Sequence, residues 1–257
     1  MSKSEMTARF REESPVRQAR IAGACWLLCI LAGLAGFIAS PLIVANDAAA
    51  TAANILANES LYRLGFAFDL ISGASYLVTT VFIYWVLKPA GRSLSMLAAF
   101  FGLAGVAIGG VAWASRLALL VLLHGDQYLS AFTTSQLQAM AMTALKLQLQ
   151  VFSIGMVFFG VQCMSIGYLV VRSKFLPRIL GILLGIGGAS YVIASFASFL
   201  IPSFGAHLIS FVLPVALIGE GSLTLWLLVK GVNEERWKDQ ASAATRLLFR
   251  SSHPDEQ

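Results

Sequence analysis

Charge is scarce in this chain. Only 12% of its 257 residues are Asp, Glu, Lys or Arg, about half the share of a soluble domain. With 58% hydrophobic residues and a mean hydropathy of +0.77, that scarcity excludes an ordinary water-soluble fold. Histidine and cysteine are also rare, three of each, and their spacing matches neither a disulfide framework nor a zinc site. Cys25 and Cys29 stand four apart and share a helix face. Small apolar packing and a metal pair compete as readings there, and the composition favours packing. No HExxH, GxSxG or P-loop string occurs. An intramembrane hydrolase needs a nucleophile with a base beside it, and no buried serine has a histidine at its level. The reading leans away from an enzyme, with no cofactor and no metal.

Long apolar runs are what the chain has in excess. Six segments stand out: Ile21–Val44, Leu64–Leu87, Leu94–Leu123, Leu147–Val171, Ile179–Ile201 and Leu208–Val229. Each is long enough to cross a bilayer core of about 30 Å at about 1.5 Å per residue. The fold class is therefore all-α: a polytopic membrane protein built as a bundle of six transmembrane helices. Residues 1–20 form a polar arm, 21–229 the membrane domain and 230–257 a basic tail. The first apolar run is longer than the about 7–15 residues of a signal peptide's apolar core, so an uncleaved first span is expected.

Placement of the basic residues gives orientation. The arm holds Lys3, Arg9, Arg11, Arg17 and Arg20, and the second connection holds Lys88 and Arg92. The fourth connection holds Arg172, Lys174 and Arg178, and the tail holds Lys230, Arg236, Lys238, Arg246 and Arg250. If spans alternate, these all lie on one side, and the other side keeps only Arg63 and Lys146. The positive-inside rule places both termini in the cytoplasm, which agrees with an even number of spans. The localisation expected is a bacterial inner membrane, with the lipid bilayer as surroundings. Because the basic residues flank spans and form no separate patch, nucleic acid is excluded as a partner. A homodimer fits the small-residue seams as well as a monomer does.

Two outer connections, Ala45–Arg63 and His124–Lys146, have helix-forming composition, with Asp47 and Ser135 as caps. Both are expected to form short helices lying on the outer face as a lid. Pro202–His207 reads as a tight turn, and Pro214 as a kink in the sixth span. The tail mixes Lys and Arg with Trp237, Leu247, Leu248 and Phe249, the composition of an interfacial helix on an anionic leaflet.

Three ionisable residues lie inside the spans: Asp69, Arg116 and Glu220. A charge at the bilayer centre is unfavourable by about 2.5–3.5 kcal/mol on insertion scales, so it normally has a partner. Counting residues puts Asp69 about 8 Å and Arg116 about 10 Å from the outer side, a natural ion pair. That pair either fixes helix register or shapes a ligand site. Glu220 lies about 18 Å deep, near the midplane, with no basic residue at its level. It either hydrogen-bonds a tyrosine or Gln162, or carries a proton or cation. Asp69, Ser72, Gly73, Tyr76 and Thr80 follow helical spacing as one polar stripe. Gly102, Gly109 and Arg116, then Ser153, Gly160 and Gly167, repeat every seven, and Gly181, Gly185 and Gly188 share a face. Such small residues let helices approach closely in lipid. The same stripes place Tyr76 and Tyr191 near the depth of Glu220. His124 and His207 fall at outer helix ends, as interfacial polar residues. The string Gly73-Ala74-Ser75-Tyr76 recurs as Gly188-Ala189-Ser190-Tyr191. It marks either an inverted repeat of two three-span halves or the abundance of these residues in membrane helices.

Several stretches carry a family resemblance. They are Ala19–Gly23, Thr51–Gly65 with Asp69, Val157–Gly160, Gly167–Gly181 and Gly219–Val232. In these the chain resembles the bacterial family of domain of unknown function 4386. The resemblance implies a six-span inner-membrane protein and assigns Asn54, Arg63, Asp69, Pro177 and Glu220 to family motifs. It implies no activity. The function expected is therefore binding or movement of a small solute, lipid or proton through a polar cavity opening outward. Asp69, Arg116, Glu220, Tyr76 and Tyr191 are its binding residues. The alternatives are a structural or envelope-stress protein acting through a membrane partner, and an intramembrane lipid-modifying enzyme.

Overall fold

A computed structural model describes residues 14–252 apart from residue 126. Lys3, Arg9 and Arg11 of the arm, and residues 253–257, lie outside the described residues. Among the described residues the chain is helical apart from short connections, with no strand: α1 (Pro15–Gly36), α2 (Ala48–Ala57), α3 (Glu59–Leu87), α4 (Arg92–His124), α5 (Thr134–Arg172), α6 (Arg178–Leu200), α7 (Pro202–Val229) and α8 (Glu234–Ser252). Six of these are long and apolar enough to cross a membrane, α1 being extended by a 3₁₀ segment to Leu42.

Local chemistry sets the boundaries. Pro15 and Pro202 open α1 and α7 at a position where a missing N–H is harmless. Asp47 caps α2 by accepting from Ala50 N at 2.8 Å. Gly125 and Gly231, at φ 64° and 68°, adopt the left-handed conformation after α4 and after α7. Pro214 falls inside α7 without ending it.

Two expected connections differ. The stretch after His124 forms no separate lid helix. Its cap is Thr133, not Ser135, in a reciprocal capping box with Gln136. From there α5 runs unbroken for 39 residues, about 58 Å, roughly twice the bilayer core. No glycine or proline interrupts Thr134–Lys146, so the span's helix extends outward through it. Similarly, Pro202–His207 is the first turns of α7 and not a loop. Of the two expected outer helices α2 is the one that forms, and its Ile55 packs with Leu42, Tyr62, Leu119 and Leu145 at the end opposite the termini.

The six spans form a closed ring in chain order. Each of α3 to α6 packs on the next, and α1 closes the ring against both α3 and α7. Glycines set the closest seams, as their stripes predict. A Cβ on Gly160 would stand 2.6 Å from Gly188 O, and one on Gly167 would stand 2.5 Å from Gly181 O, fixing α5 on α6. One on Gly23 would meet Leu228 N at 2.5 Å, fixing α1 on α7. Real Cβ atoms cannot approach so closely, so any side chain there would push the helices apart. At the terminal end α8 docks by Trp237, whose Nε1 donates to Val86 O at 2.8 Å. Trp237 is thus turned onto the protein. The side chains of Leu247, Leu248 and Phe249 lie outside the described residues.

Candidate functional site

The polar stripe of α3 faces the ring interior, and two separate polar clusters hang on it. The first is the ion pair. Arg116 Nη1 on α4 donates to Asp69 Oδ2 on α3, with side-chain exposures of 8% and 16%. The guanidinium also lies over the Tyr62 ring, 5.0 Å from its centroid, a favourable contact for a desolvated cation. Two glycines make room. A Cβ on Gly65 would lie 3.0 Å from Arg116 Nη2, and one on Gly36 would run into Asp69 Oδ1. The predicted pairing at one depth is therefore present, and α1 supplies its third wall.

Glu220 on α7 anchors the second cluster. Trp26 Nε1 on α1 donates to its Oε2 at 3.2 Å, and Tyr191 Oη on α6 donates to its Oε1 at 2.7 Å. Each carboxyl oxygen thus has a donor from a different neighbouring helix. Beside it, Tyr76 Oη donates to Gln162 Oε1 at 2.8 Å, and the Gln162 amide reaches Thr80 Oγ1 at 3.5 Å. Trp26 links the two groups by an edge-to-face contact with Tyr76, centroids 6.3 Å apart. Gly102 leaves the space that the buried Gln162 amide fills. Of the two expected partners for Glu220, Tyr191 is the one found, while Gln162 serves Tyr76 instead.

Between the clusters, Ser72 Oγ donates to Cys29 O at 2.9 Å, and Cys29 Sγ lies 3.3 Å from Ser72 Oγ. Polar groups therefore continue down the α1–α3 seam from the ion pair toward Trp26. One turn beyond Glu220 on α7, the Thr224 hydroxyl is fully buried with no hydrogen-bond partner. Cys25, Cys29 and Cys163 are free thiols. Two histidines are tied to helix ends: His124 Nε2 lies 3.2 Å from Glu59 Oε2, and His207 Nδ1 lies 2.8 Å from Ser203 O.

Asp69 and Arg116 are brought together, as are Tyr191 and Glu220. Tyr76 reaches the second cluster through Trp26 and not through the carboxyl itself. Sequence reasoning missed Trp26. A signal for it existed, since Trp26, Cys29, Gly33 and Gly36 recur at three- and four-residue intervals on α1. All four lie along α3: Gly33 faces Ser72 and Gly36 faces Asp69.

Comparison with known proteins adds kinship without an activity. The family model described as Domain of unknown function (DUF4386) matches residues 21–231, which spans all six membrane helices. An uncharacterized protein of Archaeoglobus fulgidus is 24% identical over 155 residues, covering 60% of this chain and 76% of that protein. No solved structure matches the chain.

Proposed function

The chain belongs to the DUF4386 family, and we propose that it carries a proton, or a small polar solute coupled to one, at Glu220 in the interior of a six-helix membrane bundle. The observation behind this is the pair of donors on the carboxyl. Trp26 can only donate, so it serves Oε2 whatever the charge state of Glu220. Tyr191 can donate or accept. It stabilises the carboxylate by donating to Oε1 and can accept from the same oxygen once that oxygen holds a proton. Rotation of one hydroxyl thus accommodates both states without moving a heavy atom, which is what a reversible proton site requires. Ser72 with Cys29 on one side, and the partnerless Thr224 hydroxyl on the other, supply polar groups toward both ends of the bundle. In this reading Asp69 and Arg116 shape the end opposite the termini, beneath α2.

Orientation in the membrane belongs to the same proposal. Arg17, Arg20, Lys88, Arg92, Arg172, Lys174 and Arg178 gather at the end that carries the termini. The positive-inside rule then supports cytoplasmic termini and residence in a bacterial inner membrane.

The test is proton movement in proteoliposomes that enclose a pH-sensitive dye. The wild-type chain should dissipate an imposed pH gradient faster than empty vesicles, and Glu220→Gln should abolish the excess rate. Equal rates for the two chains would overturn the proposal. One observation favours a second reading, an intramembrane enzyme acting on lipid: the Tyr191 hydroxyl lies within hydrogen-bond reach of Glu220. That reading predicts a changed membrane lipid profile in cells expressing Tyr191→Phe in place of the wild type, with gradient dissipation absent throughout.

A further inference from the structure

One helix lies across the terminal end of the ring. The chain leaves α7 through Gly231, whose φ of 68° turns it back over the bundle, and α8 starts at Glu234. Asn233 Oδ1 caps α8 by accepting from Arg236 N at 3.0 Å. Two bonds tie α8 to the connection between α5 and α6. Asn233 N donates to Phe175 O at 3.2 Å, and Lys174 N donates to Gln240 Oε1 at 2.9 Å. On the far side, Trp237 Nε1 donates to Val86 O of α3, among the last carbonyls that a helix cannot satisfy by itself. In the ring, α4 separates α3 from α5 on one side, and α1 and α7 separate α3 from α6 on the other. Bonds to α3 and to the α5–α6 connection therefore stretch α8 across the mouth. It also packs on the Lys88–Ala90 turn and touches α1.

Beneath α8 the mouth is apolar. Leu87, Phe175, Leu176, Leu227 and Val232 are buried in one cluster, with Trp237 packed against it. Thr224 lies seven residues before Gly231 on α7, about 10 Å deeper, and its hydroxyl is buried without a partner. The seal thus stands between that polar group and water at the terminal end. The attachment of the seal is slight. Among residues 234–246 of α8, Trp237 is the one large apolar side chain, and the other residues turned inward include Gln240, Ala241 and Ala244. The hydrogen bonds that hold α8 sit at the aqueous end, where water can replace them at small net cost.

We propose that α8 is a strap, pinned by Trp237 and hinged at Gly231, that closes the terminal mouth of the bundle and lifts to let water reach the interior polar groups. Its use rests on the reading of Glu220 as a proton site, because a carrier must open its site to one side at a time. The closure itself does not depend on that reading.

The experiment is alkylation of Thr224→Cys in the full chain, held in nanodiscs, by a charged membrane-impermeant maleimide, with the modified position read by mass spectrometry. Adding Trp237→Ala should speed alkylation at position 224 by about tenfold, as release of a local closure does. The deeper Cys163, buried where α5 meets Gly188 of α6, should stay unmodified. An unchanged rate at position 224, or an equal rise at Cys163, would overturn the strap. Should the Trp237→Ala protein not fold, Asn233→Ala with Gln240→Ala serves instead. It removes the cap and the tie to Lys174 with the indole kept, and it should also speed alkylation at position 224; the original rate there would refute the strap. Proteoliposomes separate the two readings. Trp237→Ala should raise Glu220-dependent gradient dissipation several-fold. Faster alkylation without any Glu220-dependent dissipation would keep the strap and refute the proton site. Glu220-dependent dissipation with unchanged alkylation would keep the proton site and refute the strap.

Discussion

Replacing Asp69 by Asn would leave the Arg116 guanidinium buried opposite a neutral amide. The geometry sets the size of the effect. Arg116 has 8% of its side chain exposed, so solvent cannot take over from the lost carboxylate. Breaking a buried pair by removing one partner is destabilising by about 3–5 kcal/mol. The lower figure applies because the guanidinium keeps its contact with the Tyr62 ring and an amide oxygen can still accept from it. About 3 kcal/mol corresponds to a melting temperature lower by roughly 6–12 °C for a chain of this size. Arg116→Met should be milder, about 1–2 kcal/mol, because Asp69 retains 16% exposure. The double variant removes both charges and leaves a neutral Asn amide beside the apolar Met side chain. It should be no worse than Arg116→Met alone, giving a coupling of about 3 kcal/mol in the double-mutant cycle. The assay is melting of the four proteins in one detergent, followed by loss of monodisperse elution. If the two single effects add in the double variant, the pair has no interaction energy and the structural account of it is wrong. If Asp69→Asn melts with the wild type, the carboxylate does not serve folding, and a ligand role becomes the better explanation.

Other expectations follow from the same packing. Glu220→Gln should melt within about 2 °C of the wild type, because a Gln amide can accept from Trp26 and donate to Tyr191; a larger fall by differential scanning fluorimetry would make the carboxyl a folding group. Gly188→Leu should strip α6 from α5 and prevent recovery of folded protein. Gly185→Ala, with nothing within 4 Å of its added Cβ, should be neutral or stabilising by about 0.5–1 kcal/mol. Similar melting of these two variants would contradict the seam assignment. Trp237→Phe removes the donor to Val86 O and should expose α8 to limited proteolysis with the six spans intact.

Much of the architecture was legible because lipid imposes strong local rules. Each span must satisfy its own backbone, so length and apolarity alone mark it. The stripe of Asp69, Ser72, Tyr76 and Thr80 was legible because helical spacing is a local property. The pairing of Asp69 with Arg116 was legible because the two occupy consecutive spans joined by a short connection, which fixes their relative depth. Boundaries were less legible where the outward extension of a helix and a separate helix have the same composition, as in Thr134–Lys146. The same ambiguity hid the helical start of α7, since proline opens a helix as readily as it makes a turn.

The amino-acid sequence by itself determined the number of spans, the end of the bundle that gathers basic residues, and which side chains are too polar to face lipid. It could not say which way each span turns about its axis, because a helix apolar all round has no preferred face in hydrocarbon. Only tertiary structure decided that. The glycine seams lock α5 against α6 and α1 against α7, and closure of the ring brings Trp26 to Glu220 across 194 positions of chain. No local pattern encodes a contact of that kind. It exists because the buried carboxyl must find donors, and the rotations that close the helix seams place an indole and a phenol where it needs them.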